Sequence, residues 1–240
     1  MERNVSFRFS LTERNDPFHC YGRPMSETET GPLSGRRAEA ARNDARILDA
    51  AREVFLADPD APVSAVAGRA GVGIGALYRR YPSKQDLLRA LAADGLARYI
   101  ADLETALSAD APPWDAYVAC LHRVVEGGGQ ALAQRLAGTF APTPELSRMA
   151  DEATRLADTL LDRVRKSGDL RDDVSGADIV LLLETVMLVD LPGADRGAAL
   201  RHRYLTLLLQ ALHNPVEGPL PGAPAEQADL VARWRGRSAG

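Results

Sequence analysis

The sequence predicts an all-α protein, with a cluster of three helices near the N-terminus and a larger helical region after it, about nine helices together. Three observations predict this. Apolar residues recur at spacings of three and four, the mark of helices with one buried face. Helix starts and stops punctuate the chain, as Ser or Thr caps, Pro in first turns, and Gly or Pro just past the ends. No segment shows the strict alternation of a half-buried strand.

The elements follow in order. Residues 1–35 are polar and aperiodic, with Pro17, Pro24, Pro32 and Gly35, and read as a disordered extension. Met25-Ser26-Glu27-Thr28 has the form of a chain start, which would make residues 1–24 an added piece. A first helix is expected at about 38–57, carried by Ile47, Leu48, Ala51, Val54 and Phe55. Two short helices follow at about 63–70 and 73–81, broken by Gly71 and ended by Pro82. Ser83-Lys84-Gln85-Asp86 resembles a capping box and opens a long helix to about 108. Further helices are expected at about 114–126, 130–138, 143–167, 177–190 and 196–213. The tail is Pro-rich, with one weak helical turn expected near Leu230. The domain reading is an extension at 1–35, a small helical domain at 36–84, a larger one at 85–213, and a tail at 214–240.

Composition removes several classes of function. The formal net charge is −4, so the chain is not a general polyanion binder. Between Arg36 and Ile100, however, 11 basic residues face 8 acidic ones, a local excess of about three positive charges. The two cysteines, Cys20 and Cys120, lie far apart and outside any CxxC spacing, and the four histidines form no HxxxH or HExxH pattern. No metal site, cofactor, catalytic group or enzyme activity is therefore expected. No apolar run reaches membrane-spanning length and no signal core is evident, so the expected location is the cytoplasm.

One segment carries chemistry. Residues 65–84 are two stubby helices joined at a glycine, each too short to stand alone. Such a pair is a helix-turn-helix, whose second helix can enter a major groove. Gly73, Gly75 and Ala76 leave the backbone nearly bare, which allows close approach. Tyr78, Arg79, Arg80 and Lys84 add a hydroxyl and cations for phosphates or base edges. Arg79 and Arg80 point about 100° apart on a helix, so at least one should face DNA. Arg36 and Arg37 fit either a solvated charge run or an arm that reaches the DNA backbone or minor groove.

From about Arg42 to Leu91 the chain resembles the DNA-binding domain of the TetR family. The shared features are Val66-Ala67, Ala70-Gly71-Val72, Gly75-Ala76-Leu77-Tyr78, the aromatic Tyr81 and Lys84. The resemblance implies a homeodomain-like three-helix head. It implies phosphate contacts from Tyr78 and Lys84, and base reading by Gly73, Ile74, Ala76, Arg79 and Arg80. Pro62 stands where many members have Ser or Thr as a phosphate contact, so the contact at that corner is expected either to be weaker or to come from Ser64. Pro113-Trp114-Asp115 and Leu220-Pro221-Gly222 are similar to members with an SbtR-type C-terminal domain. That similarity implies a helical dimer with a ligand cavity.

The expected function is a ligand-responsive repressor that binds a pseudo-palindromic operator on double-stranded DNA as a homodimer and is released by a small-molecule effector. The alternative is a helical protein-interaction module of the same fold. Trp114, Tyr117, His122, Phe140, Met149 and Met187 are candidate cavity residues, although core packing is the more ordinary reading of each alone. Ile179, Leu182, Leu183 and Val186, with Tyr204, Leu208 and Leu212, are candidates for a symmetric dimer interface. A buried hairpin inside one protomer is the other reading of the same residues.

Overall fold

The computed structural model describes residues 32–128, 139–189, 194–213 and 218–230. Residues 41–240 form one compact unit and residues 1–40 another. Among the described residues the regular elements are helices, apart from an isolated antiparallel bridge between Leu170 and His213. They are α1 (Pro32–Ala57), α2 (Val63–Ala70), α3 (Ile74–Arg80), α4 (Lys84–Ser108), α5 (Pro113–Gly127), α6 (Pro144–Ser167), α7 (Gly176–Met187) and α8 (Ala194–Leu212).

Local chemistry accounts for the boundaries. α1 starts at Pro32, earlier than expected, with proline in the first helical position, where its missing N–H costs nothing. α2 stops at Gly71, which adopts φ +66°. The Gly71 N–H bonds to the Gly68 carbonyl, and the Val72 N–H reaches back to Ala67, closing a Schellman motif. Arg46 of α1 donates to the freed Ala70 carbonyl at 2.6 Å, so α1 also caps α2. Ser83, Thr143 and Ser175 cap α4, α6 and α7 through their side chains, and Ser175 with Asp178 forms a full capping box. The helix expected at about 130–138 and the extension before residue 32 lie outside the described residues.

Two cores organise residues 41–240. The N-terminal one gathers Ile47, Ala51 and Phe55 of α1, Val66 of α2, Leu77 of α3, and Leu87, Leu88 and Leu91 of α4. This core runs into α4, beyond the boundary expected at residue 84. The second core gathers Leu103, Tyr117, Cys120, Leu160, Val164, Leu183, Leu205 and Leu209. In it α4 lies along α6 and α5, α5 also meets α8, and α7 packs on α8. α4 thus belongs to both cores. Cys120 is buried, and burial pushes its thiol up to about 11, so it serves as a small apolar filler.

The tail is better held than its proline content suggests. Leu220 N–H donates to Asp173 and Ala225 N–H to Asp178, while Ser175 Oγ donates to the Ala225 carbonyl and Arg171 to that of Gly218. An extended segment has no internal partners for its backbone, and residues 171–178 supply them. A single helical turn at 227–230 buries Leu230.

Candidate nucleic-acid interface and effector region

α3 has seven residues and one buried side chain, Leu77, which is fully enclosed by the N-terminal core. Everything else on α3 is exposed. Ile74 and Tyr78, at i and i+4, stand 43% and 46% exposed, which is unusual for large apolar and aromatic groups. Gly75 and Arg79 form the neighbouring row. A β-carbon at Gly73 would meet nothing within 4 Å, and one at Gly75 only Arg79 Nη1 at 3.8 Å. Packing inside this chain therefore does not demand glycine at either place. Ser64 and Ala76 are also exposed, and neither α2 nor α3 has a side-chain cap at its N-terminus.

The two adjacent arginines part company. Arg79 makes no hydrogen bond or ion pair among the described residues, whereas Arg80 places Nε 2.7 Å and Nη2 2.5 Å from the carboxylate of Asp44 on α1. Tyr81 donates its hydroxyl to the same carboxylate at 3.2 Å. The Arg80 hydrogen bond, aided by its charge, holds the Asp44 carboxyl below its ordinary range. Burial, reinforced by the Asp44 charge, pushes the Tyr81 phenol up to about 12.

Lys84, expected to contact phosphate, turns part of its ammonium inward. Its Nζ donates to the carbonyls of Pro59 and Ala61, each at 3.0 Å, and lies 5.2 Å from the Phe55 ring centroid. Two of its three N–H donors thus hold the loop between α1 and α2. The side chains of Arg36 and Arg37 lie outside the described residues.

In the second core the six cavity candidates separate. Trp114 and His122 line a pocket of about 170 Å³ between α5 and α8, together with Val118, Thr206, Leu209, Gln210 and His213. Trp114 stacks on His213 with ring centroids 4.3 Å apart. His122 Nδ1 faces His202 Nδ1 at 2.8 Å, and the ring centroids are 5.1 Å apart with planes 17° from parallel. The centroid spacing is close to that bond plus the two short ring-centre-to-nitrogen distances. The rings therefore meet end to end, Nδ1 to Nδ1. Tyr117 is buried behind the pocket in the core, where burial raises its phenol far above the usual range. Phe140 is a correction to the expected cavity. It packs on the N-terminal core, where the neighbouring Ala141 carbonyl accepts from Arg89 of α4. Met149 and Met187 are half-buried outside the pocket. The residues that sequence reading missed, Thr206, Gln210 and His213, form with His202 a polar row along α8 at spacings of three and four.

The interface candidates separate as well. Ile179, Leu183, Val186 and Leu212 are buried in the protomer's own core, and Leu182 and Leu208 are half-buried against it. Tyr204 remains exposed. Leu207 and Leu188, which belong to the same apolar helix pair, are 51% and 71% exposed. Among the described residues no helix is long and apolar enough to cross a membrane.

Two family models match. Residues 47–91 match the model described as bacterial regulatory proteins, tetR family. Residues 112–214 match the model described as transcriptional regulator SbtR-like, C-terminal domain. The chain belongs to the TetR family of transcriptional regulators. This TetR-family regulator is 43% identical over 94 residues to the HTH-type transcriptional repressor LfrR of Mycolicibacterium smegmatis, 39% of this chain and 46% of that protein. It is 45% identical over 58 residues to an uncharacterized HTH-type regulator, TtgW, of Pseudomonas putida, 23% of this chain and 43% of that one. The chain therefore spans about half the length of the curated relatives it matches. Among solved structures, the TetR regulator SCO0520 of Streptomyces coelicolor superposes with TM-score 0.53 at 27% identity, covering 72% of this chain and 99% of that one. LfrR in complex with proflavine gives 0.54 at 23% identity, covering 74% and 99%, which supports the shared fold.

Proposed function

We propose that this TetR-family regulator is a ligand-responsive repressor, acting as a homodimer on a pseudo-palindromic operator and released by a small-molecule effector. The observation that carries the reading is the exposed face of α3. One buried leucine anchors the helix, while Ile74, Gly75, Tyr78 and Arg79 face solvent with no packing role. Bare backbone, a phenol and an unpaired guanidinium suit a major groove and its flanking phosphates. Ser64 and the third N–H of Lys84 are assigned to phosphates, and Arg36 and Arg37 to an arm along the DNA backbone.

Two such heads need a dimer, because half-sites recur one helical turn apart. The exposed Tyr204 and Leu207 of α8 with the half-buried Leu208, and Leu188 beyond the end of α7, form the surface we assign to it. The effector is assigned to the pocket between Trp114, His122 and His213. LfrR has been crystallised with proflavine, and a planar aromatic would suit the stacked Trp114–His213 pair.

The test is fluorescence anisotropy with the duplex upstream of this chain's own gene, at several salt concentrations, against a scrambled duplex. Preference for the upstream duplex, lost in Tyr78→Ala, is expected. Equal affinity for both duplexes refutes the operator reading.

A further inference from the structure

We propose that Asp44 is a specificity-determining residue that withholds Arg80 from DNA phosphates. The inference rests on the DNA-binding reading above. Arg80 and Arg79 are neighbours on the same exposed end of α3, yet only Arg80 is occupied. Its fork is bidentate on the Asp44 carboxylate, in the geometry it would use on a phosphate. Tyr81 also donates to that carboxylate, at the Oδ1 that Arg80 Nε contacts, so Asp44 is held in place by two residues of the α3 end. The Arg80 side chain is 61% exposed, so the pair contributes little to holding the head together.

What the pair does change is charge. If Arg80 moved to a phosphate, Asp44 would lose its partner next to the DNA backbone. The exchange would gain one ion pair, lose another and add a repulsion, so Arg80 stays. The rest of the head follows the same economy. Arg52, Arg69, Arg89 and Arg98 each rest on carboxylates, while Arg46 and Lys84 rest on carbonyls. Among the described cations before residue 100, Arg42 and Arg79 alone lack a partner. Sequence-independent affinity comes from cations free to release counterions, and this head keeps few of them. Discrimination then falls to Arg79, Tyr78 and the bare backbone, which must fit a groove.

The test uses the full chain and a random-sequence duplex of about two helical turns, with affinity measured against salt. Asp44→Asn is expected to steepen the log–log salt slope by about 0.9, the share of one new phosphate contact. At about 0.1 M salt that slope corresponds to roughly eightfold tighter non-specific binding. Removing a carboxylate could by itself tighten binding, so Asp44→Asn/Arg80→Ala separates the causes, and the added slope must vanish in it. Arg80→Ala alone leaves the Asp44 charge unpaired and weakens binding, but it must not flatten the wild-type slope by the share of a phosphate contact, about 0.9, and this exposed substitution carries the test should Asp44→Asn fail to fold. An unchanged slope in folded Asp44→Asn, a gain that survives in the double variant, or a loss of about 0.9 in Arg80→Ala overturns the proposal. Wild-type protein with no salt-dependent DNA binding overturns the DNA-binding reading itself, a result distinct from these three.

Discussion

Replacing Gly75 by alanine sets folding and DNA binding against each other. Gly75 is the second residue of α3, and its new methyl would meet only the mobile end of Arg79, at an ordinary 3.8 Å. Alanine in a helix is worth about 0.5–1 kcal/mol over glycine, so the head should become more stable by that amount. The DNA side works the other way. If the α3 backbone enters a groove closely, a methyl group there overpacks the contact, at a cost of about 1–3 kcal/mol by analogy with tight cores. Operator affinity then falls roughly 5- to 150-fold. Urea denaturation of the full chain and anisotropy on the upstream duplex measure the two effects separately. A stabilised protein whose operator affinity stays within about twofold would refute close backbone approach by α3, and a destabilised one would refute the account of the helix itself.

The remaining perturbations test other parts of the same frame. Leu77→Ala removes the only buried side chain of α3 and should cost about 2–5 kcal/mol, seen as earlier melting of the N-terminal core by hydrogen exchange, and a loss under about 1 kcal/mol would contradict single-point anchoring. Lys84→Met keeps the stem beside Phe55 but leaves the Pro59 and Ala61 carbonyls without their donor, for about 1–3 kcal/mol, and should also flatten the salt slope by about 0.9. An unchanged slope would confine Lys84 to holding the α1–α2 loop. Burial, with the His202 charge adding to it, lowers the His122 pKa from 6.5. The folded state therefore binds its proton later than the unfolded chain, so stability is full above 6.5 and falls as pH drops below 6.5 toward the folded value. Melting temperature followed from about pH 8 to 5 should show this fall in wild type and lose it in His122→Leu, and equal slopes would exclude the pair as its source.

Local signals made the elements legible, and contacts distant in sequence did not. Pro62 and Gly71 frame α2, so its span follows from residue types alone, and Thr143 with Pro144 does the same for the start of α6. The exposed row of α3 was equally readable, because Leu77 is the residue of that helix that must turn inward. The fate of each cation was not. Arg80 meets Asp44 across 36 positions, Lys84 meets Pro59 across 25, and His122 meets His202 across 80. A helix apolar nearly all round, such as α7, also gives no sign of which side faces its own core. Ile179, Leu183 and Val186 consequently read as interface residues and prove to be core. Phe140 misled for a related reason. Its type fits any apolar site, and the 139–141 segment sets it against the head.

The one element that both cores share sets the terms of any switch. α4 has 25 residues and is about 37 Å long. Leu87, Leu88 and Leu91 fix one end in the N-terminal core, and Leu103 and Ala106 fix the other among α5 and α6. Between them Arg52 of α1 pairs with Asp94, so the middle of the helix is also tied to the head. Farther along, Asp102 pairs with Arg123 of α5, one residue beyond His122 of the pocket. On the proposed reading, a ligand that spreads α5 from α8 acts on the body end of a rod whose far end packs in the core that anchors α3. Tilting that rod by about 5° would move the head by about 3 Å, enough to spoil a bidentate contact to a base edge. Breaking the tie with Asp102→Ala should therefore lower the coupling between effector and operator while leaving each affinity near its own value. Unaltered coupling would move the linkage to α6, the other helix that lies along α4.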